Sequence, residues 1–273
     1  MSTTFDKGCH LHLIDGSAFI FRAYHALPPL TRKSDGLPIG AVAGFCNMLQ
    51  RYVEGNAGSD VTHVAVIFDK GSHTFRNDMY DQYKANRDAM PEDLRPQMPL
   101  TRAATKAFNI ACEEIEGFEA DDIIATLARQ AREAGGRCTI ISSDKDMMQL
   151  VGDGVEMYDA MKQRRIDRDG VFEKFGVFPE GVVDVQALAG DSVDNVPGAP
   201  GIGIKTAALL INEYGTLEEL LDRAEEIKQP KRRQTLIDHR AQIELSKRLV
   251  TLDGNMTLDF TLDDLEVRDP IAD

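Results

Sequence analysis

Nine carboxylates fall in short clusters over the first 194 residues, each at the end of an apolar run. Asp15 stands in HLHLIDGS and Asp69 in VAVIFDKG. Glu119, Asp121 and Asp122 share GFEADD, Asp144 and Asp146 follow TIISS, and Asp191 and Asp194 lie in AGDSVDNVPG. Acids gathered in one place repel one another unless cations neutralise them. A set of oxygen ligands without histidine or thiolate suits Mg²⁺, with Mn²⁺ as a substitute. Two such ions about 3.5–4 Å apart can hold the attacking and leaving oxygens of an in-line phosphoryl displacement, and one of them makes bound water acidic. Phosphodiester hydrolysis is the reaction that needs this machinery. No covalent nucleophile with an adjacent base competes with it, since the six histidines are scattered.

Acids this far apart in sequence meet only if regular elements carry them. Residues 10–15, 62–68 and 137–143 read as strands, each closing on or just before an aspartate. Helical patterns fill 38–54, 91–108 and 120–134, the last ended by Gly135-Gly136. Strands alternating with helices imply an α/β layer with a mainly parallel central sheet, whose ligands bind beyond the carboxyl ends of the strands. Asp15, Asp69 and Asp144 would fall there. The plainer reading of Glu119, Asp121 and Asp122, as caps on a helix N-terminus, accounts for one or two of them. After residue 165 the pattern turns helical, with segments at 168–175 and 179–189 and a last short strand at Leu265–Val267. We therefore divide the chain into an α/β core over 1–165, with a basic excursion near 71–108, and a helical region over 166–273.

The formal net charge of −14 argues at first sight against a nucleic-acid partner, but the clustered acids supply much of that excess. Basic residues concentrate in 76–102 and 228–248. No apolar run is long enough to span a membrane, and the first residues show neither a basic nor an apolar segment of a leader. The four cysteines form no CxxC pair and read as buried, reduced thiols of a cytoplasmic protein. In FRNDMYDQYKANR, helical spacing would put Tyr80, Tyr83, Lys84 and Arg87 on one side, with Arg76 nearby. Cations there can hold a phosphate while an aromatic ring stacks on an unpaired base. In PGAPGIGIKTA, Gly198, Gly201 and Gly203 permit tight turns and close approach to a phosphate, and Lys205 and Thr206 open the helix that follows.

These motifs, in this order, resemble the 5′-nuclease (flap endonuclease) family, most closely the 5′→3′ exonuclease domain that begins bacterial DNA polymerase I. The matching strings are DGS at Asp15, FD at Asp69, EADD at 119–122, DKDMMQLV at 144–151 and GDSVDNVPG at 190–198. The resemblance implies a PIN-like fold and a structure-specific nuclease that removes 5′ flaps and RNA primers in replication and repair. It implies a first ion on Asp15, Asp69 and Asp121 and a second on Asp144, Asp146 and Asp194, with Glu119, Asp122 and Asp191 supporting them. It makes Lys84 and Arg87 part of a mobile arch that steers the scissile phosphate, and places Arg22 near the cleaved strand. It turns residues 186–214 into a helix-hairpin-helix that grips duplex DNA, often with a bound K⁺. It further implies a monomer, a DNA partner with a 5′ flap, nick or RNA primer, and a place within a larger polymerase polypeptide. Two other readings exist: a non-catalytic DNA-junction module, which would lack strand-end acids, and a PIN-like ribonuclease, which would need no hairpin or arch.

Overall fold

A computed structural model describes residues 4–268 of the chain; the ends of the expected segments, 1–3 and 269–273, lie outside these residues. Six strands form one sheet: β1 His10–Asp15, β2 His63–Ile67, β3 Ala111–Glu113, β4 Arg137–Ile141, β5 Val155–Asp159 and β6 Arg164–Ile166. Their order is β3-β2-β1-β4-β5-β6, parallel throughout except for β6. Central β1 is buried along its whole length, as a strand with both faces covered must be. The chain runs from β1 towards β2 on one side and returns to β4 on the other. The sheet therefore has a switch point between β1 and β4, where parallel sheets open a crevice at their carboxyl edge.

Eleven α-helices are found among the described residues. Those before the last strand are α1 Gly16–Ala26, α2 Gly40–Asn56, α3 Phe75–Met79, α4 Met98–Ala107 and α5 Ala120–Glu133. The rest are α6 Arg168–Phe175, α7 Pro179–Ala189, α8 Ile204–Tyr214, α9 Leu217–Asp222, α10 Pro230–Asp238 and α11 Arg240–Val250. Leu11 and Leu13 of β1 point into one core with α5 and the C-terminal helices. Ile14 points into the other, with Phe19 and Ile20 of α1 and Phe45 and Leu49 of α2. No described helix is long and apolar enough to cross a membrane.

The structure amends several expectations. Strands β3, β5 and β6 were not foreseen; two of them have only three residues. The helix expected over 91–108 starts late: Pro96 and Pro99 open first a 3₁₀ turn and then α4. Residues 80–87 are turns rather than helix, with Lys84 in the left-handed region at φ 56°. Leu265–Val267 is no strand: a 3₁₀ turn ends at Leu265, and only Glu266 bridges to His63. All four cysteines are free, but only Cys9 and Cys138 are buried; Cys46 and Cys112 are partly exposed.

Candidate active site

The residue closing β1 is also the cap of α1. Asp15 accepts the Ala18 N–H at 2.9 Å through one oxygen and the Ser142 hydroxyl at 2.9 Å through the other. Gly16 must follow it, because a Cβ there would lie 2.4 Å from the Phe68 ring. Burial pushes the Asp15 carboxyl up to about 7, with Asp69 and Asp144 adding to it against the two hydrogen bonds. Asp69, just past β2, accepts the Ala120 N–H at 2.8 Å and so sits at the N-terminus of α5. Asp121 lies in the first turn of that helix. Burial, then Asp144, Asp15, Glu119 and Asp69, raise it well above the usual carboxylate range. Strand ends and one helix start thus press five acids, Asp15, Asp69, Glu119, Asp121 and Asp144, into each other's fields.

Beyond β4, Asp144 accepts the Asp146 N–H at 2.9 Å. Asp146 in turn accepts from Gln186 of α7 at 2.5 Å; burial and Asp144 push its carboxyl up to about 7. The loop after α7 supplies the rest. Gly190 and Gly198 pack backbone to backbone at positive φ, where a Cβ on Gly198 would lie 2.4 Å from the Gly190 nitrogen. That turn presents Asp191 and Asp194. Burial raises Asp191, but the Lys145 ammonium and the Val193 and Asp194 N–H groups outweigh it and hold it low. Asp144, Asp146, Asp191 and Asp194 line a crevice of about 600 Å³ together with Arg87 and Lys145.

The turn over 81–87 folds onto this loop. The Lys84 N–H donates to the Asp194 carbonyl at 2.9 Å, Asn86 donates to Ser192 O at 2.7 Å, and Asn195 donates to Gln82 O at 2.7 Å. The Lys84 ammonium lies 2.7 Å from Glu119 and 3.7 Å from Asp194, and Arg87 pairs with Asp194. Burial lowers the Lys84 ammonium's affinity for its proton, but Glu119 and Asp194 reverse that and raise it. Among the described residues no three acids yet close around one point; Lys84, Arg87 and Lys145 pair with Glu119, Asp194 and Asp191, while Asp15, Asp121 and Asp146 form no ion pair.

Four expected site residues have other work. Asp122 is fully buried and holds both guanidinium nitrogens of Arg76 at 2.7 Å, while also accepting the Glu119 and Asp253 N–H groups. It is a strut with no oxygen left for an ion shell. Arg76, 1% exposed and also bonded to Leu249 O and Thr251 O, cannot reach DNA. Tyr83 is buried with its hydroxyl 3.4 Å from both Glu119 and Asp194, so its ring offers no stacking face. Gly198 is buried, with its N–H on Ser246 and its carbonyl on Gln242, and serves the turn rather than a phosphate. Gly201, Gly203 and Lys205 are exposed and Thr206 is partly exposed, at the open start of α8. Arg22 lies on α1 and faces a second cavity rather than the acids. Sequence reasoning missed Ser142, Gln186 and the Lys145 pairing. Only Ser142 left a trace, as a polar residue straight after an apolar strand.

Comparison with known proteins agrees with this architecture. Residues 10–176 match the family described as "5′-3′ exonuclease, N-terminal resolvase-like domain", and residues 177–273 match "5′-3′ exonuclease, C-terminal SAM fold". The 5′-3′ exonuclease of Aquifex aeolicus is 36% identical, the match covering 95% of this chain and 87% of that protein. DNA polymerase I of Rhizobium leguminosarum is 60% identical over 95% of this chain, but the match spans only 26% of the polymerase. The 5′-exonuclease of bacteriophage T5, solved with bound zinc, shares the fold with a TM-score of 0.76 at 23% identity, covering 89% of this chain and 90% of that one. The T5 flap endonuclease in a complex with DNA and metal ions gives 0.74 at 23% identity, covering 89% of each chain. This chain belongs to the 5′-3′ exonuclease family.

Proposed function

We propose that this nuclease hydrolyses phosphodiesters at 5′ ends and 5′ flaps of DNA, RNA primers included, with two or more Mg²⁺ ions, or Mn²⁺ in their place. The observation that carries the reading is the set of acids meeting at the β1–β4 switch point, with Lys84 and Arg87 facing them. The donor set fits hard cations: it is all oxygen, and the mutual fields on Asp15, Asp121 and Asp146 call for positive charge. Asp15, Asp69 and Asp121 would hold one ion and Asp144, Asp146 and Asp194 another, with Glu119 and Asp191 supporting. When bound, such ions lower the pKa of water and stabilise charge on the phosphoryl oxygens. The metal ions and DNA named for the T5 proteins support this reading.

The chain's own residues do the rest. Lys84 and Arg87, drawn off Glu119 and Asp194, would turn to the scissile phosphate. The open start of α8, with Gly201, Gly203 and Lys205 exposed, would grip a remote duplex phosphate, with K⁺ at the turn. The protein would work as a monomer in the bacterial cytoplasm, at the head of a polymerase polypeptide, dividing near residue 165 into a catalytic and a DNA-holding region. Labelled 5′-flap duplex should be cut with Mg²⁺ and left whole with Ca²⁺. No cleavage at any Mg²⁺ concentration would remove the reading.

A further inference from the structure

Helices α1 and α4 reach β2 and β3, and the other half of that sheet face carries polar side chains. A cavity of about 570 Å³ lies over it, within the usual size of a small-molecule site. Its walls include His10 and His12 of β1, Arg22 of α1, Arg51 and Tyr52 of α2, and Arg165 of β6. Ala18, Ser143 and Asp159 line both this cavity and the acidic crevice, so the two share a rim.

The carboxylates in this wall are already matched. Asp60 pairs with Arg137 and with His10 at 3.2 Å, and Glu156 pairs with Arg165 at 2.9 Å. Asp159 lies 3.6 Å from Lys162 and accepts the Met161 and Lys162 N–H groups. Arg22 and Arg51 have no ion-pair or hydrogen-bond partner among the described residues. In a chain of net charge −14, two unmatched guanidinium groups on one cavity wall mark a place for an anion, and the guanidinium fork suits phosphate. His12 receives or donates a 2.9 Å hydrogen bond at the Tyr52 hydroxyl through Nδ1, and its Nε2 has no protein partner. Burial, with His10 beside it, pushes this imidazole down to about 4, so it stays neutral and offers one directional hydrogen bond. Phe19, Met48 and Ile141 add apolar wall. Phosphate, one hydrogen bond and an apolar surface together describe a nucleotide.

We propose that this cavity binds a 5′-phosphorylated nucleotide, the terminal unit of the strand being cut, with its phosphate on Arg22 and Arg51 and its sugar or base against His12 and Tyr52. The identity of the ligand rests on the nuclease reading above; the site itself does not. Calorimetry in EDTA, where no cleavage occurs, tests the site with deoxyadenosine 5′-monophosphate, deoxyadenosine and inorganic phosphate as probes. The monophosphate should bind at least about tenfold tighter than either other probe. Arg51→Glu, and more mildly Arg51→Gln, should weaken it about tenfold, whereas Lys84→Ala should leave it unchanged. Arg51 is exposed, so neither change reaches the core.

Single-turnover cleavage of nicked duplex with a 5′-phosphate or a 5′-hydroxyl then separates two sources of the same chemistry. A phosphate preference lost in Arg51→Glu assigns the strand end. No preference, with free nucleotide still dependent on Arg51, assigns the released product. Equal binding by wild type and both Arg51 variants overturns the proposal. So does loss of binding in Lys84→Ala, which would put the nucleotide in the acidic crevice. Nucleotide binding that depends on Arg51 in a protein that cuts nothing with Mg²⁺ would keep the site and sink the nuclease reading.

Discussion

Arg76 and Asp122 meet through two parallel 2.7 Å hydrogen bonds, with both side chains sealed from solvent. One stands on α3 and the other in the first turn of α5, and Arg76 also ties down the C-terminal end of α11 through the Leu249 and Thr251 carbonyls. Removing one partner strands a buried charge. Asp122→Ala and Arg76→Met should therefore each cost about 3–5 kcal/mol in unfolding free energy, since each leaves the other charge buried with only backbone hydrogen-bond partners. Chemical denaturation measures both. An Asp122→Ala protein of undiminished stability would contradict the strut assignment.

Asp15 predicts a pH dependence. Its carboxyl has an ordinary value of 3.8 and titrates near 7 in the fold. Between those values the folded state holds more protons than the unfolded one. Its contribution therefore lowers stability as pH rises from about 4 to about 7 when divalent ions are absent. Asn fits the same space, its oxygen accepting the Ala18 N–H and its amide now donating to the Ser142 hydroxyl oxygen, which reverses that bond. Asp15→Asn should gain on the order of 1–4 kcal/mol at pH 8 in EDTA and flatten that slope. The same change should cut turnover by at least about a hundredfold. Thermal melts across pH check the first effect; a steeper slope in the variant would refute it.

Lys84 and Lys205 should separate chemistry from grip. Lys84 lies 2.7 Å from Glu119 at the acidic cluster, while Lys205 is exposed in the first turn of α8. Lys84→Ala should slow single-turnover cleavage with little effect on duplex affinity. Lys205→Ala should weaken duplex binding and reduce its salt slope by about one. Identical effects of both on both quantities would end the distinction.

Ca²⁺ fills oxygen sites and supports this chemistry poorly, so it should tighten the binding of a 5′-flap substrate without cutting it. Blunt duplex, which need not enter the crevice between Asp146 and Asp194, should respond much less. Titrations at fixed ionic strength, in EDTA and then in Ca²⁺, decide this. Equal tightening of both substrates would place the acids away from the single-strand path.

Strand positions β1, β2 and β4 could be read from sequence because each is an apolar run ending in an acid at the same sheet edge. Strands β3 and β6 were too short to show a period. The 80–87 turn defeated the helical reading because its shape is fixed from outside, by hydrogen bonds from Lys84, Asn86 and Asn195 to partners about 110 residues away in the chain. Acid clustering was legible, but the private use of Asp122 was not. A carboxylate paired with a distant arginine looks the same in sequence as one awaiting an ion. Gln186 escaped for a similar reason: nothing near it names Asp146.

The seam between the turn over 82–87 and the loop over 191–195 has an evolutionary corollary. One side belongs to the segment matched by the first family and the other to the segment matched by the second. Neither half carries all the acids of the proposed site, so on that reading the two cannot drift apart or be shuffled as independent cassettes. A chimera built by exchanging the chain beyond residue 176 with a distant relative should fold in both parts and still be inert. It should revive only when residues 82–87 are brought over from the same donor.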